Sequence, residues 1–237
     1  MFAMRTLFTI SVPSTTDPEQ ARLAVKAAFQ EIRRVEQLMT TWDPDSHLSR
    51  VNARAGIEPV AVPPELLELI AKAKRITERT NGKFDIASAA LEGLWSHKRR
   101  PPRLPDPKEV VRRLPLVDSK SIVIDRDRST VYLAKPGMRV GLGAIAKGYA
   151  VDRAGRVLSE HQLHDFIVNG GGDVLFSGRK GTRPWSSGVR DPRSGSRPFA
   201  RFDIRRDGAV CTSGDYQKYF VHQGTRRPWS APSGSHP

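Results

Sequence analysis

A glycine-rich stretch in the middle of the chain constrains fold and function more than any other segment. Residues 139–142 include the β-branched Val140 and the apolar Leu142 and follow the turn pair Pro136–Gly137, which predicts a short strand. From Ala144 onward the apolar residues recur at helical spacing, so we expect a helix there. Glycines between a strand and a helix start let a ligand approach the backbone, whose free N–H groups favour phosphate oxygens. With Lys147 adding a positive charge, the stretch predicts a site for a phosphorylated ligand.

The glycine pattern alone leaves several interpretations open. Residues 141–146 match the loose dinucleotide fingerprint G-x-G-x-x-A, and Glu160 follows at a suitable distance, as in a nicotinamide-dependent dehydrogenase. The early strand–glycine–helix unit of that fold is not evident, however. The ending of a Walker loop is also absent. A tight strand–helix turn with a solvated lysine explains the same residues without any ligand.

Composition limits the compartment and the partners. No apolar run approaches the ~20 residues of a membrane span, so we expect no transmembrane segment. Residues 1–12 lack the pattern of a signal peptide, which favours a cytoplasmic protein or a sequence that begins inside a longer precursor. The net charge of +14 permits an anionic partner, but arginines are spread along the chain without a nucleic-acid-binding motif, so we expect no nucleic acid. The single cysteine, Cys211, is expected to be a small core residue.

Helix and strand signals alternate along the chain. One helix is predicted to begin at Asp17–Pro18, and a second to run from Pro63–Pro64 through Arg79. Short strands are predicted in the N-terminal region, as a hairpin over residues 121–134 and through the last third. Asn169–Asp173 has the composition of a hairpin turn, to which we assign a structural role only. These elements favour an α+β fold, with mixed or antiparallel sheets and helices packed on one face.

Five segments also occur in a recognisable order. They are Phe2–Thr6, Gly82–Asp85, Gly143–Asp152, Asn169–Asp173 and Thr212–Tyr216. In register from about Met1 to Thr225, the chain resembles the ApbE family, the FAD:protein FMN transferases formerly named thiamine-biosynthesis lipoproteins. The corresponding family motifs read A-M-G-T, G-A-F-D, D-L-G-G-I-A-K-G-Y-A-V-D, N-A-G-G-D and T-S-G-D-Y.

The resemblance implies a chemistry. Enzymes of this family bind FAD and Mg²⁺ and transfer FMN to a threonine hydroxyl of a target flavoprotein, releasing AMP. Some relatives hydrolyse FAD to FMN and AMP instead, and many are periplasmic or membrane-anchored. A FAD pyrophosphatase and a non-catalytic FAD-binding protein therefore stay open as alternatives for this chain.

The resemblance also implies ligand contacts for individual residues of the N-terminal half. It implies that Met4 contacts the flavin, and that Trp42 occupies the position of a ligand-contacting tyrosine, where an aromatic ring stacks on a flat heterocycle. Lys83, Phe84 and Asp85 would line the nucleotide. Simpler roles remain open: Trp42 as an anchor at a helix end, Phe84 as ordinary core, and Asp85 as a cap of the next turn.

Further roles fall on the central stretch. Ala144 would offer its backbone carbonyl to Mg²⁺, and Lys147 would bind the cofactor and act as the catalytic residue by neutralising phosphate charge. Gly141 lies in the cofactor-binding stretch at the position of a family aspartate, so one polar contact to FAD is absent. Arg5 replaces the glycine after the methionine and places bulk near the proposed flavin edge.

The end of the chain departs most from the family pattern. After Thr225 the family continues with H-H-I-x-D-P-x-T-G and then A-D-x-x-x-T, which supplies side-chain Mg²⁺ ligands; here the chain reads on through Arg226 to Pro237. We expect a single flavin-transferase domain over residues 1–225, incomplete at its C-terminus, and a disordered tail over residues 226–237. A truncated or frame-shifted copy of this kind would bind Mg²⁺ weakly, and its transferase activity would be impaired or absent.

Overall fold

Helices and antiparallel strands both contribute to the fold. The computed structural model describes residues 1–94, 105–191, 198–212, 219–222 and 225–228. In these residues the α-helices are α1 (Pro18–Met39), α2 (His47–Ala53), α3 (Pro64–Arg79), α4 (Pro107–Arg113) and α5 (Gly143–Glu160). Short 3-10 helices occupy Ile86–Leu91, Leu114–Leu116 and Ser119–Ser121.

The strands are short and pair in antiparallel fashion. They are β1 (Phe2–Ala3), β2 (Thr6–Ser11), β3 (Val60–Ala61), β4 (Ile122–Asp125), β5 (Thr130–Leu133), β6 (Phe166–Gly170), β7 (Asp173–Ser177), β8 (Trp185–Arg190), β9 (Pro198–Ile204), β10 (Gly208–Cys211), β11 (Tyr219–His222) and β12 (Thr225–Pro228). The predicted α+β class is confirmed.

The chain divides into two compact units. The first comprises Met1–Gln37 and Ile145–Ser213, and the second comprises Leu38–Ala144 and Gly214–Pro237. This division does not test the predicted single domain over residues 1–225, which stays a prediction.

The first unit contains a sheet with the strand order β1-β2-β6-β7-β10 and the hairpin β8–β9. α1 begins as predicted, because the Gln20 N–H donates to Asp17 Oδ1 at 2.8 Å and Pro18 takes the first helical position. α5 packs closely on the sheet, since a Cβ placed on Gly155 would lie 2.5 Å from Leu175 Cδ2. The buried side chains include Phe8, Ala24, Ala28, Ile32, Val35, Ala150, Val151, Ala154, Leu158, Phe166, Val168 and Phe176.

The second unit contains a sheet with the strand order β3-β5-β4. The predicted hairpin is confirmed by the pairing of β4 with β5. α3 lies next to this sheet, and the Lys74 ammonium on α3 donates a hydrogen bond to the Ile122 carbonyl on β4. Burial lowers the pKa of Lys74. The buried side chains include Leu48, Val51, Leu66, Leu69, Ile70, Ile86, Ile122, Val131, Leu133, Met138, Val140 and Leu142.

The expectation of a core position for Cys211 is wrong. Cys211 is exposed instead of buried, because it ends β10, the last strand in its sheet order, and three of the four residues of that strand are exposed. The disordered tail predicted for residues 226–237 stays a prediction, while the backbone of residues 225–228 forms β12 and pairs with β11. Residues 229–237 lie outside the described residues.

No helix in the described part of the chain is both long enough and apolar enough to cross a membrane.

The predicted hairpin turn at Asn169–Asp173 is confirmed. Gly170 and Asp173 face each other in the register of β6 and β7, which leaves a two-residue turn. Both turn residues have positive φ, +66° at Gly171 and +101° at Gly172, as a type I′ hairpin requires. A Cβ on Gly171 would lie only 2.1 Å from Thr6 Oγ1, so the turn sits directly against β2.

We expect Gly171→Ala to destabilise the protein by about 2 kcal/mol or more, because it adds backbone strain to a clash with Thr6. Gly148→Ala is the matched control: Gly148 lies within α5, and in the part of the chain that the structure describes its added Cβ would meet no atom within 4 Å. This control should stabilise by about 0.5–1 kcal/mol. Urea unfolding of the two variants and the wild type measures the difference. Equal midpoints for the two variants would contradict the turn geometry.

A shielded carboxylate joins α1 to α5 in the first unit. Glu31, with its side chain 11% exposed, accepts from Arg34 Nε at 2.8 Å and Arg153 Nε at 2.7 Å. The Arg34 guanidinium first, with help from Arg153, lowers the pKa of Glu31 to about 2. Glu109 on α4 also has a pKa of about 2, lowered by Arg112 and Arg113, but it is 29% exposed.

Because the pKa of Glu31 is lower in the folded chain than its ordinary value of 4.5, its contribution is complete above that pH and is lost as the pH falls toward 2. We therefore expect Glu31→Gln to lower stability at pH 7 and to flatten the decline between pH 5 and pH 2. Glu109→Gln should change the pH profile less, since solvent screens its exposed pairs. Urea midpoints across this pH range test the contrast, and a decline as steep in Glu31→Gln as in the wild type would refute it.

Candidate functional site

The segment leading into α5 alternates between buried and more exposed residues but is not a strand, so the strand predicted for residues 139–142 is wrong. The alternation behind that prediction is real, since Met138, Val140 and Leu142 are all buried. The backbone partner, however, is a side chain. The Val140 N–H donates to Asn52 Oδ1 at 2.7 Å, and Asn52 Nδ2 donates to the Val140 carbonyl at 3.0 Å. One amide of α2 thus satisfies both backbone groups that a strand neighbour would have paired.

A second anchor follows at once. The Gly141 N–H donates to the Ile86 carbonyl at 3.0 Å, and a Cβ on Gly141 would lie 3.0 Å from the Cβ of Ala89. Gly141 is therefore pressed against the 3-10 helix Ile86–Leu91. This packing gives a physical reason for a glycine at this position, independent of any contact to a ligand.

The predicted nucleotide residues immediately precede the same 3-10 helix. Asp85 caps it: Oδ1 accepts from the Ala87 N–H at 2.7 Å, while Oδ2 accepts from the Ser119 N–H at 3.1 Å. The capping role that the sequence left open is thus present. Lys83 is exposed and Phe84 is half-buried. Through the Gly141–Ile86 hydrogen bond, the structure brings this segment next to the entry of α5.

Trp42 lies in the turn between α1 and α2. Its backbone N–H donates to Thr40 Oγ1 at 3.1 Å, and the residue is 79% exposed. The large exposed fraction leaves ring surface accessible for stacking, as the prediction for this residue requires.

The first two residues of α5 are open to solvent. Gly143 and Ala144 are both exposed, and a Cβ on Gly143 would meet no atom of the described residues within 4 Å. Backbone N–H groups at a helix start have no partner within the helix and attract anions. Ala144, the predicted Mg²⁺ ligand, offers a backbone carbonyl here. Among the residues that the structure describes, no group of three or more His, Cys, Asp and Glu side chains could hold a metal ion.

Lys147 lies one turn further along α5, with its side chain 34% exposed. Its Nζ atom is 3.0 Å from Asp173 Oδ2, and the Asp173 side chain is 24% exposed. From the sequence, Asp173 is predicted only as part of a hairpin turn, and nothing there marks it as a partner of Lys147. The sequence shows the N-G-G-G-D segment itself, but it gives no sign that α5 packs against this turn.

Met4 occupies an unusual turn between β1 and β2. Met4 and Arg5 both have positive φ, 48° and 60°, in the region that favours glycine. The Met4 N–H donates to Glu36 Oε1 at 2.5 Å, which ties the turn to α1. The backbone conformation at Arg5 accounts for a glycine at this position in the family motif.

The predicted site residues are divided between the units. Met4 and Lys147 belong to the first. The remaining predicted residues belong to the second, and they are Trp42, Lys83, Phe84, Asp85, Gly141 and Ala144.

The family motifs lie in an antiparallel α+β fold. Within this fold, the side-chain amide of Asn52 and the 3-10 helix Ile86–Leu91 anchor the segment that leads into α5. The model of the ApbE family matches residues 4–228, and the chain belongs to this family. The resemblance seen in the sequence is confirmed. Family membership sets aside the dehydrogenase alternative, whose fingerprint also needs a strand that residues 139–142 do not form.

Among the most similar relatives is the FAD:protein FMN transferase of Klebsiella pneumoniae (strain 342), 32% identical over 198 residues, with 84% of this chain and 61% of the relative covered. The FAD:protein FMN transferase of Treponema pallidum (strain Nichols) is 30% identical over 236 residues, covering 93% of this chain and 65% of the relative. The chain thus spans less than two thirds of the length of these relatives.

Solved structures agree in fold. The crystal structure of the ApbE protein from Thermotoga maritima matches with a TM-score of 0.84 and 32% identity, covering 95% of this chain and 72% of that protein. The flavin transferase ApbE from Vibrio cholerae matches with a TM-score of 0.75 and 26% identity, covering 94% and 72%.

The Asn52 anchor has a measurable consequence. We expect Asn52→Ala to destabilise the protein by about 2–4 kcal/mol, because it leaves the N–H and C=O groups of buried Val140 without partners. Arg50→Ala, at an exposed position of the same helix, should change stability by no more than about 0.5 kcal/mol. Urea unfolding at pH 7 compares the two. A loss below about 1 kcal/mol for Asn52→Ala would mean that Val140 finds other partners.

Proposed function

We propose that this chain binds FAD and transfers its FMN half to a threonine hydroxyl of a target flavoprotein, with AMP as the leaving group. The observation that carries the proposal is the anchored, solvent-open start of α5, with Lys147 one turn along the helix. The names of the relatives support the same reaction class.

The first turn of α5 suits a pyrophosphate for two reasons. Its N–H groups have no partner within the helix and point toward the helix start, where the helix dipole favours negative charge. Lys147 supplies a full positive charge close by, with hydrogen-bond donors for phosphate oxygens. We assign binding of the pyrophosphate to these groups, and Gly141 is the residue whose small size lets the chain enter this turn while packed on Ala89.

The remaining predicted residues are assigned by the resemblance and by their surroundings. Trp42 exposes ring surface that suits stacking on the isoalloxazine, and we assign Met4 to the flavin end as well. Lys83, Phe84 and Asp85 are assigned to the nucleotide. For Asp85 this assignment adds to the capping hydrogen bonds that already occupy both carboxylate oxygens.

The transfer is a displacement at phosphorus. A bond forms between the threonine oxygen and the phosphorus of FMN, the bond from that phosphorus to the bridging oxygen breaks, and the bridging oxygen leaves with AMP. The threonine hydroxyl proton passes to solvent water as the new bond forms, and AMP leaves as a phosphate monoester anion. Lys147 stabilises the negative charge that grows on the departing phosphate, so its contribution is larger in the transition state than in the bound substrate.

We include Mg²⁺ in the proposed reaction because the resemblance to the family implies it, and we assign the Ala144 carbonyl as its protein ligand. When bound, Mg²⁺ would neutralise phosphate charge. The described residues do not supply the set of oxygen ligands that this ion prefers, so we derive no step through it. Titrating MgCl₂ or EDTA into the protein with FAD tests whether flavin binding depends on the metal.

The assay for the function mixes the chain with FAD, Mg²⁺ and a flavoprotein that carries a threonine acceptor. Covalently flavinylated acceptor, detected by mass spectrometry, supports the transferase. Release of FMN and AMP without labelled acceptor indicates the pyrophosphatase, in which water takes the place of threonine. Saturable FAD binding without either product indicates a binding protein.

We expect Lys147→Met to weaken FAD binding by about 10- to 100-fold, because a charged hydrogen bond to phosphate is worth about 1.5–3 kcal/mol. Riboflavin, which lacks the phosphates, should bind equally well to the variant and the wild type. Lys72→Met, at an exposed position of α3, is the matched control and should bind FAD like the wild type. Quenching of flavin fluorescence measures all three proteins. Equal losses for FAD and riboflavin would remove Lys147 from the phosphate site.

A further inference from the structure

The ion pair between Lys147 and Asp173 is partly shielded. The side chains are 34% and 24% exposed, and Nζ lies 3.0 Å from Oδ2. Salt screens such a pair less than it screens a pair on the open surface. Asp173 is therefore a close and partly shielded neighbour of the lysine to which the phosphate role is assigned.

The hairpin turn fixes the place of the Asp173 carboxylate. Gly172 N–H donates to Asn169 Oδ1 at 2.9 Å, and Gly171 packs against Thr6, so the turn is held on both sides. The turn also meets α5 directly, since a Cβ on Gly170 would lie 2.9 Å from Val151 Cγ2. Val151 is four residues after Lys147 and thus lies on the same face of the helix.

The Asp173 carboxylate also has a third neighbour, the side chain of Cys211. Cys211 on β10 faces Asp173 on β7 in the strand register. The pKa of the Cys211 thiol is raised, most of all by partial burial and next by the negative charge of Asp173. The Asp173 side chain thus lies next to β10 as well as next to α5.

We propose that Asp173 is a positioning residue for Lys147 in the phosphate chemistry, an inference that rests on the proposed function. An ammonium group has three N–H donors. One of them is directed to Asp173, and two remain for phosphate oxygens. The carboxylate thus restricts a side chain that would otherwise lose much rotamer freedom on binding its ligand.

This arrangement has opposite effects on binding and on turnover. The negative charge of Asp173 repels a nearby phosphate and weakens the binding of the ground state. The fixed direction of the ammonium favours the transition state, where charge has moved onto the leaving phosphate. Removing the charge of Asp173 should therefore tighten FAD binding while it slows the transfer.

The test uses Asp173→Asn, which keeps the size of the side chain and suits the hairpin. Asp203→Asn is the matched control, because it removes the same charge from an exposed position of β9. Affinities for FAD and riboflavin are measured by flavin fluorescence at low and moderate salt, and turnover is measured as labelled acceptor. Thermal melting of each protein reports on folding.

We expect Asp173→Asn to bind FAD about three- to tenfold more tightly at low salt, with riboflavin binding unchanged and turnover about 10- to 100-fold slower. A merely structural role would weaken binding and turnover together. FAD affinity equal to that of Asp203→Asn, or weaker than that of the wild type, overturns the positioning role. The affinity result decides this even when turnover is too slow to detect.

The proposed function fails separately, if wild-type protein does not bind FAD more tightly than riboflavin. Should Asp173→Asn melt at a markedly lower temperature, Asp173→Glu takes its place, because it keeps the charge and displaces the carboxylate. We then expect FAD affinity within about twofold of the wild type and turnover about tenfold slower. Wild-type turnover, or clearly weaker FAD binding, would overturn the inference.

Discussion

The two hydrogen bonds between the Asn52 side chain and the Val140 backbone are the constraint on which the candidate site depends. Val140 is fully buried, and its N–H and C=O groups need partners there. A sheet would supply them from a neighbouring strand, but here one amide side chain supplies both. With Gly141 held by the Ile86 carbonyl, the chain enters α5 from a fixed position. The open first turn of the helix is therefore set by contacts that lie before it in the chain.

Local signals were sufficient to predict much of the fold. α1 and α3 follow from apolar spacing together with a proline at the helix start, and the hairpins follow from their turn residues. Residues 139–142 misled the prediction because alternating burial indicates a strand only if a second strand lies alongside. The actual partner, Asn52, is 88 positions away, and nothing in its own neighbourhood marks it as an anchor.

The candidate site was predictable in its parts but not in its pairings. The motifs located Lys147 and Asp85, yet the sequence could not reveal that Asp173 lies beside the lysine or that both oxygens of Asp85 are already engaged. The same glycines that identify the hairpin turn also permit the helix to approach it, through Gly170 and Val151. Turn composition carries information about local backbone shape but none about the element that packs on it.

The exposed thiol of Cys211 gives experimental access to this region. It is the single cysteine of the chain, and it faces Asp173 across the β7–β10 pair. A maleimide-linked fluorophore or spin label would therefore attach at one defined position without any prior mutagenesis. Its emission or line shape would report on the electrostatic surroundings of the Lys147–Asp173 pair in otherwise unmodified protein.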